Sequence, residues 1–329
     1  MDPKAREQWL RAAVRVVNEL LPTDSNDVRT WAAYLHWLGH ALTVVNWDGA
    51  EVVEPIACAR ILNQSGSYLL ANANYSDAEP LLRRACAITE QSLGPVHPHL
   101  SACLANLAGL LQATNRLSEA ELLCRRALEI DEEIFGPTHP RVAIALNNLG
   151  SVVRAMNRLG EAESLWRRAL DIDERRLDSS HPNIAVRLTN LAGVLKATKR
   201  FPEAEPLYRR ALKINAQSFG PNHPQVAAVL SDLATLLTAT NRPLEAEPLC
   251  RRALEIDEQN LGPNHPMVAV RLNNLGGILL DTNRMSDAEA LFRRAAHIAE
   301  SRLGSDHPWT RTFRKNLDGV LAKMGKGTR

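Results

Sequence analysis

Apolar and polar residues alternate with a helical period along most of the chain, and the pattern recurs every 42 residues. His-Pro begins at positions 97, 139, 181, 223, 265 and 307, Ala-Glu at 78, 120, 162, 204, 246 and 288, and Arg-Arg at 83, 125, 167, 209, 251 and 293. Three independent markers in one register indicate an internal repeat of six units. Such a repeat determines the architecture before any other feature is weighed.

Each unit predicts two helices. In the third repeat Leu146, Leu149 and Val153 form one apolar stripe with spacings of three and four residues. Asn157 interrupts the pattern, and a second helix is predicted from about Glu161 to Leu177. Glycines that suit left-handed C-terminal caps follow five of the second helices: Gly94, Gly136, Gly220, Gly262 and Gly304. Neither helix of a pair can bury its stripe alone, so neighbouring pairs are expected to stack and make the core.

The two ends depart from the period. Residues 1–52 hold four of the six tryptophans, at 9, 31, 37 and 47. They predict an N-terminal helical capping segment with helices at about Pro3–Leu21 and Asp27–Asn46. Residues 53–308 form the six repeats, and 309–329 are predicted to be a C-terminal capping helix and tail. In that last helix Arg314 and Asp318 replace the apolar or small residues of earlier units, so nothing is expected to pack beyond it.

Composition excludes several classes of protein. Lys and Arg number 39 against 37 Asp and Glu, without the basic excess of a nucleic-acid binder. No apolar run is long enough to predict a membrane span. The five cysteines form no CxxC pair, and no signal peptide is visible at the N-terminus. We therefore expect a cytoplasmic protein that needs no cofactor.

The motifs resemble those of a known family. Leu-x2-Leu-Gly/Ala-x2-Leu, followed by Ala-x3-aromatic-x2-Ala, is similar to the tetratricopeptide repeat (TPR) signature. The long period, with LNNLG, EAExLxRRALEI and GPxHP, resembles the kinesin-light-chain type of that repeat. The resemblance implies an all-α fold, a right-handed superhelical solenoid of helix-turn-helix repeats. It leaves function open, because this fold serves many partners.

A second resemblance concerns the N-terminal segment. RAAVRVVNELLP, WAAYLHWLGHAL and RILNQSGSYL are similar to the region that precedes such repeats in bacterial NB-ARC-type signal-transducing NTPases. The resemblance implies an NTPase or effector domain supplied upstream or by another chain. The sequence then represents either a fragment of such a protein or a relative without the NTPase.

Two periodic sets have ordinary structural interpretations. Helices in neighbouring repeats lie about 8–10 Å apart, too far for two of the His-Pro histidines to share one metal ion. A histidine that hydrogen-bonds to a neighbouring loop is the favoured interpretation. The Arg-Arg pairs follow glutamates by four residues, which favours a self-paired helix face over a nucleic-acid ridge. Cys124 and Cys250 occupy a core-facing position and are predicted to be packing thiols.

A ladder of asparagines is the strongest candidate for binding. Asn is a mediocre helix former, so its recurrence within the first helices suggests a task. One amide offers a donor and an acceptor, enough to hold the main chain of an extended peptide. The alternative is that the amides bond to one another and hold the stack together. The predicted peptide-binding residues are Asn106, Asn147, Asn148, Arg154, Arg187, Asn190, Lys196, Asp232, Arg271, Asn273 and Asn274.

Catalytic signatures are absent from the sequence, which contains no GxxxxGK[ST], HExxH or GxSxG. We therefore predict a non-enzymatic adaptor that clamps an extended peptide in a concave groove. The mildly basic groove favours an acidic peptide or protein segment as the partner. The alternative function is a ligand-sensing module of a bacterial signalling NTPase or effector, in which Trp31 or Trp37 would contact the switch domain. A scaffold that uses its convex face is a third possibility. Neither nucleic acid nor a membrane is an expected partner.

Overall fold

The computed structural model describes residues 2–22 and 31–325, apart from the side chains of 31 and 32. These residues contain helices, turns and bends and no strands. The helix bounds are α1 Pro3–Leu20, α2 Trp31–Val45, α3 Ala50–Val53, α4 Pro55–Ala71, α5 Tyr75–Leu93, α6 Pro98–Ala113, α7 Leu117–Phe135, α8 Pro140–Ala155, α9 Leu159–Arg176, α10 Pro182–Ala197, α11 Phe201–Phe219, α12 Pro224–Ala239, α13 Pro243–Leu261, α14 Pro266–Asp281, α15 Met285–Leu303 and α16 Pro308–Lys323. The predicted all-α fold of helix-turn-helix repeats is confirmed.

In the described residues, helices α4 to α15 form six pairs, which α1–α3 precede and α16 follows. The first helices of the pairs are α4, α6, α8, α10, α12 and α14, and the second helices are α5, α7, α9, α11, α13 and α15. The chain divides into two compact units, Met1–Ile172 and Asp173–Arg329, whose boundary lies within α9. The predicted start of α2 at Asp27 lies outside the described residues. None of the helices in the described part is both long and apolar enough to cross a membrane.

Histidine and proline together start the first helix of five pairs and the final helix. Each histidine is the N-cap residue, and the proline after it occupies the first helical position, where its missing N–H costs nothing. The imidazole Nδ1 accepts a hydrogen bond of 3.1–3.2 Å from the backbone N–H two residues ahead. The capping histidines are His97, His139, His181, His223, His265 and His307.

This geometry refines the sequence interpretation. A structural hydrogen bond was expected from these histidines, but its partner lies in the histidine's own helix and not in a neighbouring loop. In each cap the imidazole therefore contributes the Nδ1 lone pair as the acceptor.

Turns between paired helices use residues in the left-handed region. Asn115, Asn157, Asn241 and Asn283 have φ near +60°, a conformation that asparagine tolerates better than most residues. The five glycines predicted as C-terminal caps have φ between +81° and +87°. Both predicted turn signals are therefore confirmed.

Within a pair, a small residue on the first helix lies against a large residue on the second. A Cβ at three of the small positions would lie 2.7–2.9 Å from the partner side chain: Gly66 against Leu82, Gly150 against Trp166 and Gly276 against Phe292. Equivalent positions elsewhere hold alanine, with a buried cysteine or tyrosine opposite in the repeat. Close approach of the two helices thus depends on a matched pair of side-chain sizes.

Candidate functional site

A stripe of partly exposed positions follows each first helix at spacings of three and four residues. On α8 it comprises Arg141, Ile144, Asn147, Asn148, Ser151 and Arg154, and the other first helices and α16 carry the equivalent positions. We call this surface the first-helix stripe. The asparagine ladder lies on it, half-buried, so the amides combine restricted side-chain freedom with access from outside.

Most described ladder amides bond to the preceding first helix. Asn106 Nδ2 donates to Asn63 Oδ1 at 3.1 Å in the first unit. In the second unit Asn274 Nδ2 donates to Ser231 Oγ at 3.1 Å. Asn316 Nδ2 likewise donates to Asn273 Oδ1 at 2.8 Å. Each bond spans 43 residues, one more than the repeat, because the acceptor is the residue just before the preceding ladder position. The alternative of a stack-holding ladder therefore describes these three amides.

Asn148 differs from those three. Forty-three residues before it stands Ala105, whose side chain cannot accept a hydrogen bond. Within the described part of the chain the Asn148 side chain makes no hydrogen bond, although it lies half-buried on the stripe. Its donor and acceptor are therefore both available to a ligand.

Two predicted residues belong to the interior and not to the stripe. Arg187 Nε donates to Asp173 Oδ2 at 3.1 Å, and the two side chains are 4% and 0% exposed. Arg271 Nε donates to Asp257 Oδ2 at 2.8 Å, with exposures of 8% and 2%. The prediction that Arg187 and Arg271 contact a peptide was wrong. Both face the second helix of the preceding pair, where their guanidinium groups compensate buried carboxylates.

The other predicted residues lie on the stripe. Asn147, Asn190 and Asp232 are half-buried there. Arg154 is exposed, and it makes no ion pair with another described residue. The Lys196 ammonium donates to Thr235 Oγ1 at 2.8 Å and lies 6.0 Å from the centre of the Tyr208 ring.

The stripe of the first unit contains no carboxylate. The first helices α4, α6 and α8 carry Arg60, Arg141 and Arg154 and no Asp or Glu. Arg141 is engaged, because it donates to the Pro98 carbonyl at 3.0 Å and lies 3.6 Å from Asp131. Arg60 and Arg154 have no such partner in the described residues. Arg60 and Arg154 therefore leave this surface basic.

In the second unit the stripe opens into a cleft. The cleft has a volume of about 520 Å³ and lies over α12, α14 and α16. Gly277 and Gly319 provide its open floor, since no atom would lie within 4 Å of a Cβ at either position. The predicted residues Asn273 and Asn274 line it, together with Thr235, Thr238, Asp281, Lys315 and Lys323. Two lysines against one aspartate leave the cleft mildly basic.

The second helices present a different surface, which we call the outer lattice. Glutamates at one repeat position bond both to the arginine four residues later and to an arginine 37 residues later: Glu79 to Arg83 and Arg116, Glu121 to Arg125 and Arg158, Glu205 to Arg209 and Arg242, and Glu247 to Arg251 and Arg284. Hydrogen bonds from Arg209 hold the pKa of Glu205 below its usual value, and those from Arg251 do the same for Glu247. The predicted self-pairing of this face is confirmed.

The cysteines are all buried. Burial raises the pKa of Cys124 to about 12 and that of Cys250 to about 11, which leaves both as neutral thiols. Their predicted role in packing is confirmed.

The sensor hypothesis, in which Trp31 or Trp37 contacts a switch domain, stays a prediction. Trp37 is half-buried and contacts His36 and His40, with ring centres 4.8 and 5.7 Å apart. The Trp31 side chain lies outside the described residues. Trp9 and Trp47 are the more exposed ones, and helical periodicity alone gave no signal for that difference.

Paired helices, a polar first-helix stripe and a charge-saturated outer face define a helical-repeat scaffold protein. The tetratricopeptide repeat family model matches residues 57–133, 101–175, 183–259 and 235–301. The chain belongs to the tetratricopeptide repeat family, whose repeats serve as scaffolds for protein–protein interaction. The N-terminal segment lies outside these matches, and its resemblance to the NB-ARC proteins stays a prediction.

Solved structures share the fold. BtubC (BKLC) from P. vanneervenii shares 26% identity over 72% of this chain and 92% of its own, with a TM-score of 0.56. The nearly identical TPR-like repeats assigned to a kinesin light chain of Podosopora anserina share 22% identity over 63% of this chain and 98% of theirs, with a TM-score of 0.53. The apo form of RapI has 13% identity over 82% of this chain and 99% of its own, with a TM-score of 0.54. No curated protein matches the chain.

Proposed function

We propose that the chain is a non-enzymatic adaptor whose first-helix stripe binds an extended, acidic segment of a partner protein. The observation that carries this proposal is the stripe of the first unit, which offers unpaired Arg60 and Arg154 and the unpaired amide of Asn148 without any carboxylate. An acidic ligand would meet no like charge along these helices.

The amide and the guanidinium would have separate roles. Asn148 would hold one peptide unit of the ligand main chain through its donor and its acceptor, independently of the ligand side chains. Arg154 would pair with a carboxylate of the ligand and set the preference for acidic sequences. The cleft of the second unit, over α14 and α16, is a separate candidate region in which Asn273 and Lys315 would contact an acidic segment.

The test uses peptides selected by display on the intact chain, with affinities measured by fluorescence anisotropy. Asn148→Ala is expected to weaken binding by about 5- to 150-fold, as follows from a loss of about 1–3 kcal/mol per unpaired polar group, without lowering the thermal midpoint. Asn106→Ala is the matched control, because it removes the same side chain from a position where the amide bonds to Asn63. That control should lower stability more than affinity.

Arg154→Gln tests the acidic preference separately. It should reduce affinity for acidic peptides and leave the weaker affinity for their amide counterparts unchanged, because only the charged pair is lost. Selected peptides without an excess of Asp and Glu, or equal affinities of the wild type and Asn148→Ala, would overturn the proposal.

The second candidate is a ligand-sensing module for a signalling NTPase or effector. The feature that favours it is the N-terminal segment α1–α3, which follows no repeat period and lies outside the family matches. A sensor requires that ligand binding on the stripe change the affinity of these helices for the effector, whereas an adaptor requires no such coupling.

A further inference from the structure

Helix α1 has two apolar faces. Val14, Val17 and Leu21 are buried against the rest of the first unit. The other face carries Ala5, Trp9, Ala12, Ala13, Val16 and Leu20, which we call the α1 outer stripe. Trp9 is 66%, Val16 55% and Leu20 42% exposed. A shallow depression of about 380 Å³ between Trp9 and Val16 is lined by apolar residues. An apolar stripe of this kind on a helix indicates a surface meant for another macromolecule.

The spacing of the stripe meets the requirement for pairing with a second copy of the same helix. Successive members are separated by 4, 3, 1, 3 and 4 residues, a sequence that is the same in both directions about the midpoint between Ala12 and Ala13. In an antiparallel helix pair related by a twofold axis at this midpoint, Trp9 lies opposite the second copy's Val16. The two alanines lie at the crossing point, where small side chains permit close approach of the helices.

We propose that the α1 outer stripe binds the same stripe of a second copy of this chain, antiparallel and with twofold symmetry. A self-complementary patch is what an isologous dimer interface requires.

One pair of charged residues beside the stripe agrees with this arrangement, while Arg15 on the same flank is already paired with Glu54. Glu19 lies on one flank near one end of α1, and Lys4 and Gln8 lie on the same flank near the other end. In the antiparallel pair Glu19 therefore stands opposite the second copy's Lys4 and Gln8. Neither Glu19 nor Lys4 has an ion pair within the described residues, so both are available for this contact.

The size of the stripe sets the expected strength. One helix face is smaller than the patch of about 800 Å² per partner in a standard interface, so the dimer should be weak and dissociate in the micromolar range. Sedimentation equilibrium of the full chain should show a reversible monomer–dimer equilibrium across that range.

Complementary variants test the register. Val16→Glu and Trp9→Arg should each weaken self-association by roughly 100-fold or more, because each would bury an unpaired charge at two symmetric contacts. Mixed together, they should form a heterodimer, since the new carboxylate faces the new guanidinium and the other contact stays native. Leu122→Glu is the control: it changes a side chain on α7 that is 69% exposed and should leave association unchanged.

Circular dichroism of each variant verifies that the exposed substitutions leave the helices intact. A wild type that stays monomeric at every concentration would overturn the proposal and assign the stripe to a different occupant. A dimer that survives Val16→Glu, or variants that fail to rescue each other on mixing, would overturn the antiparallel pairing.

Discussion

Arginine and carboxylate meet in two regions of the second unit, and the two regions differ in what the pairs do. In the interior, Asp257 and Arg271 are almost completely buried and joined at 2.8 Å. On the outer lattice, Glu247 bonds to Arg251 at 2.7 Å while the arginine side chain remains 48% exposed. The same type of ion pair thus occurs both exposed to solvent and shielded from it, and burial determines how much the loss of one partner changes the free energy of unfolding.

The contrast shows that conspicuous repetition does not mark the most sensitive residues. Water screens the pairs of the outer lattice, so each contributes little to the free energy of unfolding although they recur in nearly every repeat. The interior pairs occur in only some repeats, yet each buried carboxylate has a single arginine to compensate its charge. Burial raises the pKa of Asp257 in spite of Arg271, because desolvation is the larger of the two effects there.

Removing one interior partner should produce the largest effect. Arg271→Ala is expected to lower the free energy of unfolding by about 3–5 kcal/mol, because Asp257 would remain buried without compensation. Urea denaturation followed by circular dichroism measures the change.

A double variant sharpens this prediction. Asp257→Asn with Arg271→Val reproduces the combination that the preceding 42-residue repeat carries naturally as Asn215 and Val229. There the Asn215 amide donates to the Gln225 carbonyl at 3.4 Å. The double variant should recover most of the loss, and equal destabilisation of both variants would refute the burial argument.

Acid should separate the two regions by the sign of their response. Glu205 and Glu247 have lowered pKa values, so their contribution to stability is present above the usual glutamate pKa and is lost as the pH falls through the lowered values. The raised pKa of Asp257 works in the opposite direction, since the penalty on its charged form is relieved as the pH falls.

Urea midpoints between neutral pH and about pH 3 test these signs around the reference carboxyl pKa values. The variant with Glu205→Gln and Glu247→Gln should lose less stability on acidification than the wild type. The interior double variant should lose more. Identical pH profiles of the three proteins would contradict the assignment.

Removing one lattice arginine should produce the smallest effect. Arg251→Ala is expected to cost about 0.3–0.5 kcal/mol, the usual value for an exposed pair four residues apart on a helix. High salt should reduce the difference from the wild type, and Arg251→Lys should restore part of it. A loss as large as that of Arg271→Ala would remove the distinction between the two regions.

The sequence predicted the outer lattice because its rule is local. Residues four apart on a helix are neighbours, so the spacing of Glu247 and Arg251 was sufficient. The interior pairs join residues 14 apart across a turn, and which of them meet depends on how two helices pack. For that reason Arg187 and Arg271 were assigned to the groove.

A signal for the interior pairs was nevertheless available in the repeats. At equivalent positions Asp173 with Arg187 and Asp257 with Arg271 alternate with Asn215 and Val229, so in these three repeats both members are charged or neither is. The repeat before them departs from this rule, because Asp131 has Ala145 at the partner position and contacts Ser101 and Arg141 instead. Aligning the units and comparing their differences, in place of their common residues, would have revealed the pairing.

The sequence predicted where the ladder asparagines lie, but only part of what their side chains do. Recurrence located the asparagines, yet three of the amides proved to bond across the stack. The offset of 43 residues explains why: the acceptor varies from unit to unit, and Ala105 leaves Asn148 unpaired. Exposure of the α1 outer stripe required the three-dimensional packing, because α1 is apolar on both faces.

The matched sizes of Gly150 and Trp166 make the helix pair, and not the single helix, the unit that this chain can exchange. Duplication or recombination that moves α8 and α9 together keeps Gly150 with the Trp166 side chain that packs against it. A crossover between them would place an alanine Cβ where Trp166 stands, at a separation near 2.7 Å that no packed core accepts. Lengthening, shortening or rebuilding of this scaffold should therefore succeed only at boundaries between whole pairs.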